Sequence, residues 1–360
     1  RQLVASGAEL LEPAGPWLDR TFSSPVSAAM LAPWALHNGL GPDDSGSAFI
    51  TKVIAAAVAM GGMPVPVGGG VSLVNALVGI ITDAGGELRT NTDVTKVLVD
   101  GGRAVGVQTA AGERIMASRA VLASVTPQKL YLDLLADAPV ATETRDAARA
   151  FRYGRGGFQI HVAMSEPPQW PSDPRLQDTA MVHVLDSMDS LSESVNAANR
   201  GYLPRRPTIV VGQPCTIDAS RAPEGQSLLW IQLQEIPRHV KGDLAGEIEV
   251  GDGTWTPELR DAYASRILDQ LEPYIPNIRS AAIEMFALSP ADLEALNCNL
   301  VGGDPYSGDC RIDQYAVWRP LSTATGNDTG IKGLWQIGAS THPGPGLGGG
   351  SGYLVADRIS

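Results

Sequence analysis

The sequence predicts a mixed α/β (α+β) protein of two domains, one of them built on an antiparallel sheet. Three stretches carry that prediction. Residues 94–116 read as a β meander. Residues 158–233 hold four strand-like runs parted by Pro/Gly clusters. From Leu334 a short apolar run passes through a glycine loop into a helical segment. At 360 residues the chain is long enough for two cores.

In order along the chain, residues 1–60 are helical in pattern, with a polar gap at Gly41-Pro42-Asp43-Asp44-Ser45-Gly46. Opening on Arg1 and a helical run, the chain is expected to be preceded by an N-terminal portion. Gly61 to Gly70 forms a Gly/Pro loop. Val71, Val74, Leu77, Val78 and Ile81 then recur as an amphipathic stripe, so Val71 to Asp83 is a helix, ended by Gly85-Gly86. Glu87 to Thr90 reads as a short strand. Val94–Val99, Ala104–Thr109 and Arg114–Met116 alternate or run β-branched, with turns at Asp100-Gly101-Gly102 and Ala110–Glu113. Arg119 to Ser124 is a small buried strand.

In the second block Phe158–Met164, Thr179–Leu185, Thr208–Gln213 and Leu228–Leu233 read as strands. Two helices have start signals. Thr256 can cap a helix with Pro257 at its first position and a stripe of Leu259, Tyr263, Ile267 and Leu271. Ser289, Pro290 and Asp292 start the second as a capping box.

Composition excludes several classes. A formal charge of −12 argues against a nucleic-acid partner. Cys215, Cys298 and Cys310 fit neither a metal pattern nor a disulfide framework, which suits reduced thiols in the cytoplasm. The uncharged stretch Val53–Thr82 is interrupted by Gly61–Gly70, so a membrane span is not expected, while surface association stays open. His161, His183 and His239 fall in or beside strand patterns, where they read as structural or exposed, and they form no metal cluster. No Ser/His/Asp, CxxC or P-loop pattern supports a hydrolase, thiol redox enzyme or NTPase.

The glycine loop is the most informative feature. Gly344, Gly346 and Gly349 match G-x-G-x-x-G, but with 11 residues after Gly349 no βαβ unit opens there. The loop reads either as a structural turn or as a cofactor loop closing a domain whose first half lies elsewhere. Two prolines in His342-Pro343-Gly344-Pro345-Gly346 stiffen it, favouring the cofactor loop.

Further pieces carry a family resemblance. Gly69-Gly70 leads into a helix with Leu73 and Leu77. Ala84-Gly85-Gly86-Glu87-Leu88 precedes Val94-Thr95-Lys96-Val97. Ala104-Val105-Gly106-Val107, Ala111-Gly112 and Ala120 to Pro127 follow. Asp313-Gln314-Tyr315 and Trp318-Arg319-Pro320 precede Gly338 to Gly352. Together these resemble the FAD-dependent phytoene-desaturase-like and amine-oxidase-like oxidoreductases, and among them the branch named pyridine nucleotide-disulphide oxidoreductase domain-containing protein 2. The family's N-terminal Rossmann segment has no counterpart before residue 60.

The resemblance implies the C-terminal portion of a two-domain, glutathione-reductase-like FAD-binding fold. Residues 1–60 would be the helical part of the substrate domain and 61–150 an FAD-binding segment. Residues 151–330 would be the sheet-based substrate domain, and 331–360 the C-terminal FAD-binding segment. Val94 would offer its backbone to the adenine, and Ser124, Val125 and Thr126 would lie near the phosphates. Gly338, Ala339, Gly346, Leu347, Gly348 and Gly349 would line the ribityl chain and flavin, with helix N–H groups near Gly349 and Gly350 facing the ring edge that turns negative on reduction.

Gly69, Tyr315, Trp318 and His342 are substrate-lining candidates, with Met63, Pro64, Val65 and Gly68 beside Gly69, and Asp313, Gln314 and Arg319 beside Tyr315. His342 is also a catalytic candidate, or else a loop histidine. The implied activity is hydride transfer between a carbon centre of a largely apolar small molecule and the flavin. Amine oxidation, or a non-catalytic partner-binding role on the same fold, are the alternatives. Partners would be the apolar substrate and the Rossmann segment, in cis or as a separate chain; oligomerisation stays open.

Overall fold

The computed structural model describes residues 2–347 and 349–360, with residues 2–6 described through their backbone alone. Helices α1 (Gln2–Leu11), α2 (Ala14–Thr21), α3 (Pro25–Leu31), α4 (Ser47–Gly61) and α5 (Gly70–Asp83) come first. Strands β1 (Val94–Asp100), β2 (Arg103–Thr109), β3 (Arg114–Met116) and β4 (Val121–Ala123) precede α6 (Thr142–Ala150). Next are β5 (Gly156–Met164), β6 (Met181–Val184), α7 (Met188–Arg200), β7 (Tyr202–Leu203), β8 (Ile209–Gly212), β9 (Ser227–Ile236) and β10 (Gly242–Asp243). Then follow α8 (Pro257–Leu271), β11 (Ala282–Leu288), α9 (Pro290–Leu296), β12 (Pro320–Leu321), β13 (Ala324–Thr325), β14 (Leu334–Gln336) and α10 (Gly350–Ile359). The chain makes two units. Residues 1–87 and 155–298 form the first, and residues 88–154 and 299–360 the second.

The first unit is organised by a five-stranded sheet of order β11-β5-β9-β8-β6, antiparallel throughout. Strict alternation on β5 sends Phe158, Ile160, Val162 and Met164 to one face, where they are buried with Leu229, Ile231 and Leu233. The stripe Leu259, Tyr263, Ile267 and Leu271 of α8 covers that face. Each aliphatic side chain so buried contributes about 1.5–3 kcal/mol. Thr256 starts α8 by accepting the Leu259 N–H at 3.3 Å, with Pro257 at the first turn. Ser289 and Asp292 exchange the reciprocal bonds of a capping box at α9.

The buried Arg266 meets Asp243 at 2.6 Å, leaving neither charge alone in the interior. A smaller core of Leu18, Ala28, Ala35 and Leu36 packs the opening helices onto Leu191 and Val195 of α7. That helix, together with β11 and α6, forms outside the runs the sequence singled out; Ser187 and Ser190 cap α7.

One expectation is corrected here. Glu87–Thr90 is not a strand: the segment is irregular, and Arg89 reaches Glu113 from it. Helix α5 forms as expected, but none of its residues is buried. Val71 is 60% exposed, Leu77 54% and Ile80 67%.

In the second unit β1, β2 and β3 form an antiparallel meander, and β4 pairs in parallel with β14. Val97, Ala104, Leu130, Tyr131, Leu134 and Leu334 lie in its core. Among the described residues no helix is long and apolar enough to cross a membrane, and no group of His, Cys, Asp or Glu could hold a metal ion.

Candidate functional site

Two constellations stand out, one in each unit. In the second unit the C-terminal ends of β4 and β14 lie side by side, because parallel pairing sets Gln336 opposite Ala123. The Ile337 N–H donates to the Ala123 carbonyl at 3.0 Å, and the Gln336 amide donates to Val125 O at 2.8 Å. Asn299 braces the turn after β4: its amide donates to Ser124 O at 2.9 Å, and its oxygen accepts the Thr126 N–H at 3.3 Å. The Gly338 N–H donates to Ser351 Oγ, 2.8 Å away in the first turn of α10. Thus Ser124, Val125, Gly338 and the start of α10 converge.

Glycine is required at 338. Its φ is +92°, and a Cβ there would lie 2.7 Å from Ser124 Oγ. Gly346 and Gly349 also have positive φ, +153° and +63°, and a Cβ on either would meet no atom within 4 Å. The Gly349 cap position of α10 offers no side chain to the first-turn N–H groups.

The loop is held from behind by Arg319. Its guanidinium is fully buried and donates to Ala339 O at 2.7 Å and to the carbonyls of Gly308 and Tyr306. It also stands over the Tyr315 ring, 5.2 Å from its centroid. The Tyr315 ring closes against Gly344, where a Cβ would come within 2.9 Å of the hydroxyl. Asp304 accepts N–H bonds from Gly154, Tyr306 and Gly308, each at 2.8 Å, while burial pushes its carboxyl pKa up.

Not every expected residue joins this cluster. Val94 opens the antiparallel meander and packs against the core around Val97 and Leu130. Leu347 projects outward, 92% exposed, and Trp318 is also exposed. Gly348 lies outside the described residues. His342 donates through Nδ1 to the Ala316 carbonyl at 3.3 Å, which serves the loop.

The second constellation is an apolar cavity of about 1100 Å³ within the first unit. It lies on the sheet face opposite α8, where Phe286, His161, Trp230, Gly212, Met181 and His183 stand across all five strands. Met63, Val65 and Gly70 of the Gly/Pro loop contribute a further wall. That loop is clasped: Asp218 accepts the Gly68 N–H at 2.8 Å, and Arg221, paired with Asp218 at 2.9 Å, donates to Pro66 O at 3.3 Å. Gly69 lies over Arg221, with room for a Cβ only 3.3 Å from the guanidinium.

Two histidines line this cavity. His161 stacks on Phe286 at 4.7 Å and 9°. His183 bonds His37 through facing Nε2 atoms at 3.0 Å, and burial pushes both pKa values down to about 4, His37 adding to the effect on His183. Sequence reading set His161 and His183 aside as structural or exposed. The signal that finds His161 is the period-2 burial of β5, which puts it on the face away from the core, whereas β6 shows no such alternation at His183.

No protein-family model matches the chain. Curated relatives do. A pyridine nucleotide-disulfide oxidoreductase domain-containing protein 2 of Rattus norvegicus is 28% identical over 97% of this chain and 61% of its own length. A lycopene-forming phytoene desaturase of a Paracoccus species is 28% identical over 80% of this chain and 53% of its own. The chain therefore spans about three-fifths or less of these relatives. Among solved structures, an oxidoreductase from Methanosarcina mazei matches all of this chain and 71% of its own, with TM-score 0.61 at 16% identity. A putrescine oxidase triple mutant matches 99% and 69%, with TM-score 0.54 at 12% identity. In sequence the chain is thus similar to that domain-containing protein and to phytoene desaturases, and in fold to flavin-type oxidoreductases such as putrescine oxidase.

Proposed function

We propose that this chain supplies the substrate cavity and a cofactor loop of an FAD-dependent oxidoreductase acting on a largely apolar small molecule. The observation that carries the reading is the convergence of Ser124, Val125, Gly338 and the start of α10 at the ends of two parallel strands. Ligands of open α/β sheets bind at such strand ends. The fit is also one of shape: glycines leave the backbone bare at 338, 346 and 349, and the uncapped helix start faces the same loop. FAD, when bound, supplies hydride acceptance from a substrate carbon.

The chain's own residues bind, orient and exclude water. Gly338 and Ala339 present main chain to the cofactor, and Arg319 fixes the Ala339 carbonyl from behind. The sheet face and the clasped Gly/Pro loop surround the substrate with apolar side chains. Amine oxidation is a second reading, favoured by Glu284 together with Trp34, Trp230 and Phe286 on the cavity wall, which suit a cation.

A dinucleotide-binding segment, in cis or as a separate chain, completes the proposal. Support comes from the bare apolar stripe of α5, of the kind that marks an interaction face. A cytoplasmic setting, suited to three free thiols, belongs to the same reading. Supplying the chain with a dinucleotide-binding domain from such a relative tests it. Stoichiometric flavin absorbance in the co-purified product is expected, and Gly338→Val should abolish it. A colourless complex of the two would overturn the reading.

A further inference from the structure

Several polar groups on the wall of the apolar cavity are committed elsewhere. Gln213 accepts from Trp170 at 2.9 Å and donates to Leu176 O and Thr179 O at 2.9 and 2.6 Å. Arg221 is held by Asp218 and Pro66. His161 pairs with Gln159 at 3.2 Å and is stacked on Phe286. His183 differs. Its Nε2 is used by His37, and its Nδ1 has no protein partner among the described residues.

Behind His183 the chain of contacts continues. His37 Nδ1 lies 3.4 Å from the Gln234 amide nitrogen, and the Gln234 oxygen is buried with no partner. Trp34 flanks both imidazoles, 5.1 Å from His37 and 5.4 Å from His183. With the Gln234 amide donating, His37 must donate to His183, and Nδ1 of His183 carries a proton. With that amide turned over, every bond reverses and Nδ1 becomes an acceptor. The triad therefore serves a ligand group of either polarity while both rings stay neutral.

We propose that the cavity takes an elongated apolar molecule bearing one neutral hydrogen-bonding group, a hydroxyl or carbonyl, seated on His183. This deepens the oxidoreductase reading and rests on its assignment of the cavity to substrate. His183 stands on β6 at one edge of the sheet, and Phe286 on β11 at the other. Four interstrand steps of about 4.8 Å separate them, giving the apolar tail a run of about 19 Å. A carboxylate is disfavoured, because two neutral imidazoles provide no counter-charge and Glu284 lies on the same wall.

Gly212 sets the bore midway. A Cβ there would come within 2.9 Å of the Trp230 ring, so alanine must push the indole aside.

The test titrates the chain with 1-dodecanol, dodecane and dodecanoate, following the fluorescence of Trp34 and Trp230. The alcohol should bind about fivefold to tenfold tighter than the hydrocarbon, as one neutral hydrogen bond allows, and tighter than the acid. His183→Phe should remove that preference while dodecane binding persists, which also reports an intact fold. His183→Asn should restore part of it. Gly212→Ala should weaken alcohol and hydrocarbon alike. Equal binding of alcohol and hydrocarbon, or a preference that survives His183→Phe, would overturn the proposal but leave the cavity reading intact. Binding of none of the three would overturn both.

Discussion

Helices α5 and α8 carry similar apolar spacing and meet opposite fates. In α8, Leu259, Tyr263, Ile267 and Leu271 are buried against the sheet. In α5, Val71, Val74, Leu77 and Ile81 are exposed. Periodicity specifies that a helix forms and which side is apolar. What covers that side is decided by the rest of the molecule or by another one. Stability measurements can break or sharpen this contrast.

The largest effect is expected at α8. Ile267→Ala should cost about 2–5 kcal/mol, as a fully buried side chain leaves a cavity. Leu77→Ala on α5 should stay within about 0.5 kcal/mol. Urea midpoints of the two variants check this, and a large loss at Leu77 would show that the α5 face is covered in the isolated chain.

Next comes acid sensitivity in the half-buried wall. His37 and His183 have folded pKa values of about 4, below the ordinary histidine value of 6.5. The unfolded state therefore binds more protons below pH 6.5, and stability must fall as pH falls. The loss builds up as pH falls from about 6.5 toward about 4. Comparing the chain with His183→Phe isolates it, since the variant should show a shallower slope. Glu235 and Asp304, raised by burial, act in the opposite direction in both proteins.

A smaller loss than that at Ile267 is expected at the start of α8. Thr256→Ala removes the oxygen that accepts the Leu259 N–H and should cost about 1 kcal/mol. Thermal melts of this variant beside Leu77→Ala would rank a lost cap against a trimmed bare stripe.

Much of the fold was legible because local chemistry and tertiary use agreed. The meander, the alternation of β5 and the caps at Thr256 and Ser289 each follow from a few adjacent residues. Helix α7 and strand β11 were not. The buried side of the first is made largely of small residues, Ser194, Ala197 and Ala198 beside Leu191 and Val195, which do not read as an apolar stripe, and the second is an edge strand whose side chains Ile283, Met285 and Phe286 remain exposed. At the glycine loop the positive φ values at 338, 346 and 349 follow from residue type. The role of Arg319 does not: nothing local marks a fully buried guanidinium spending its donors on backbone carbonyls. The His37–His183 pair joins positions 146 residues apart, beyond any spacing rule.

The division of each unit into two stretches of chain has a consequence for the order of assembly on the ribosome. Both stretches of the first unit are made before residue 299, so its sheet and α8 can close as soon as they emerge. The second unit must wait. Strand β4 leaves the tunnel more than two hundred residues ahead of its partner β14, as the contact between Val125 and Gln336 spans 211 positions. Through that interval an apolar three-residue strand has no mate, so the β4–β14 pairing is a late, long-range step in closing the second unit.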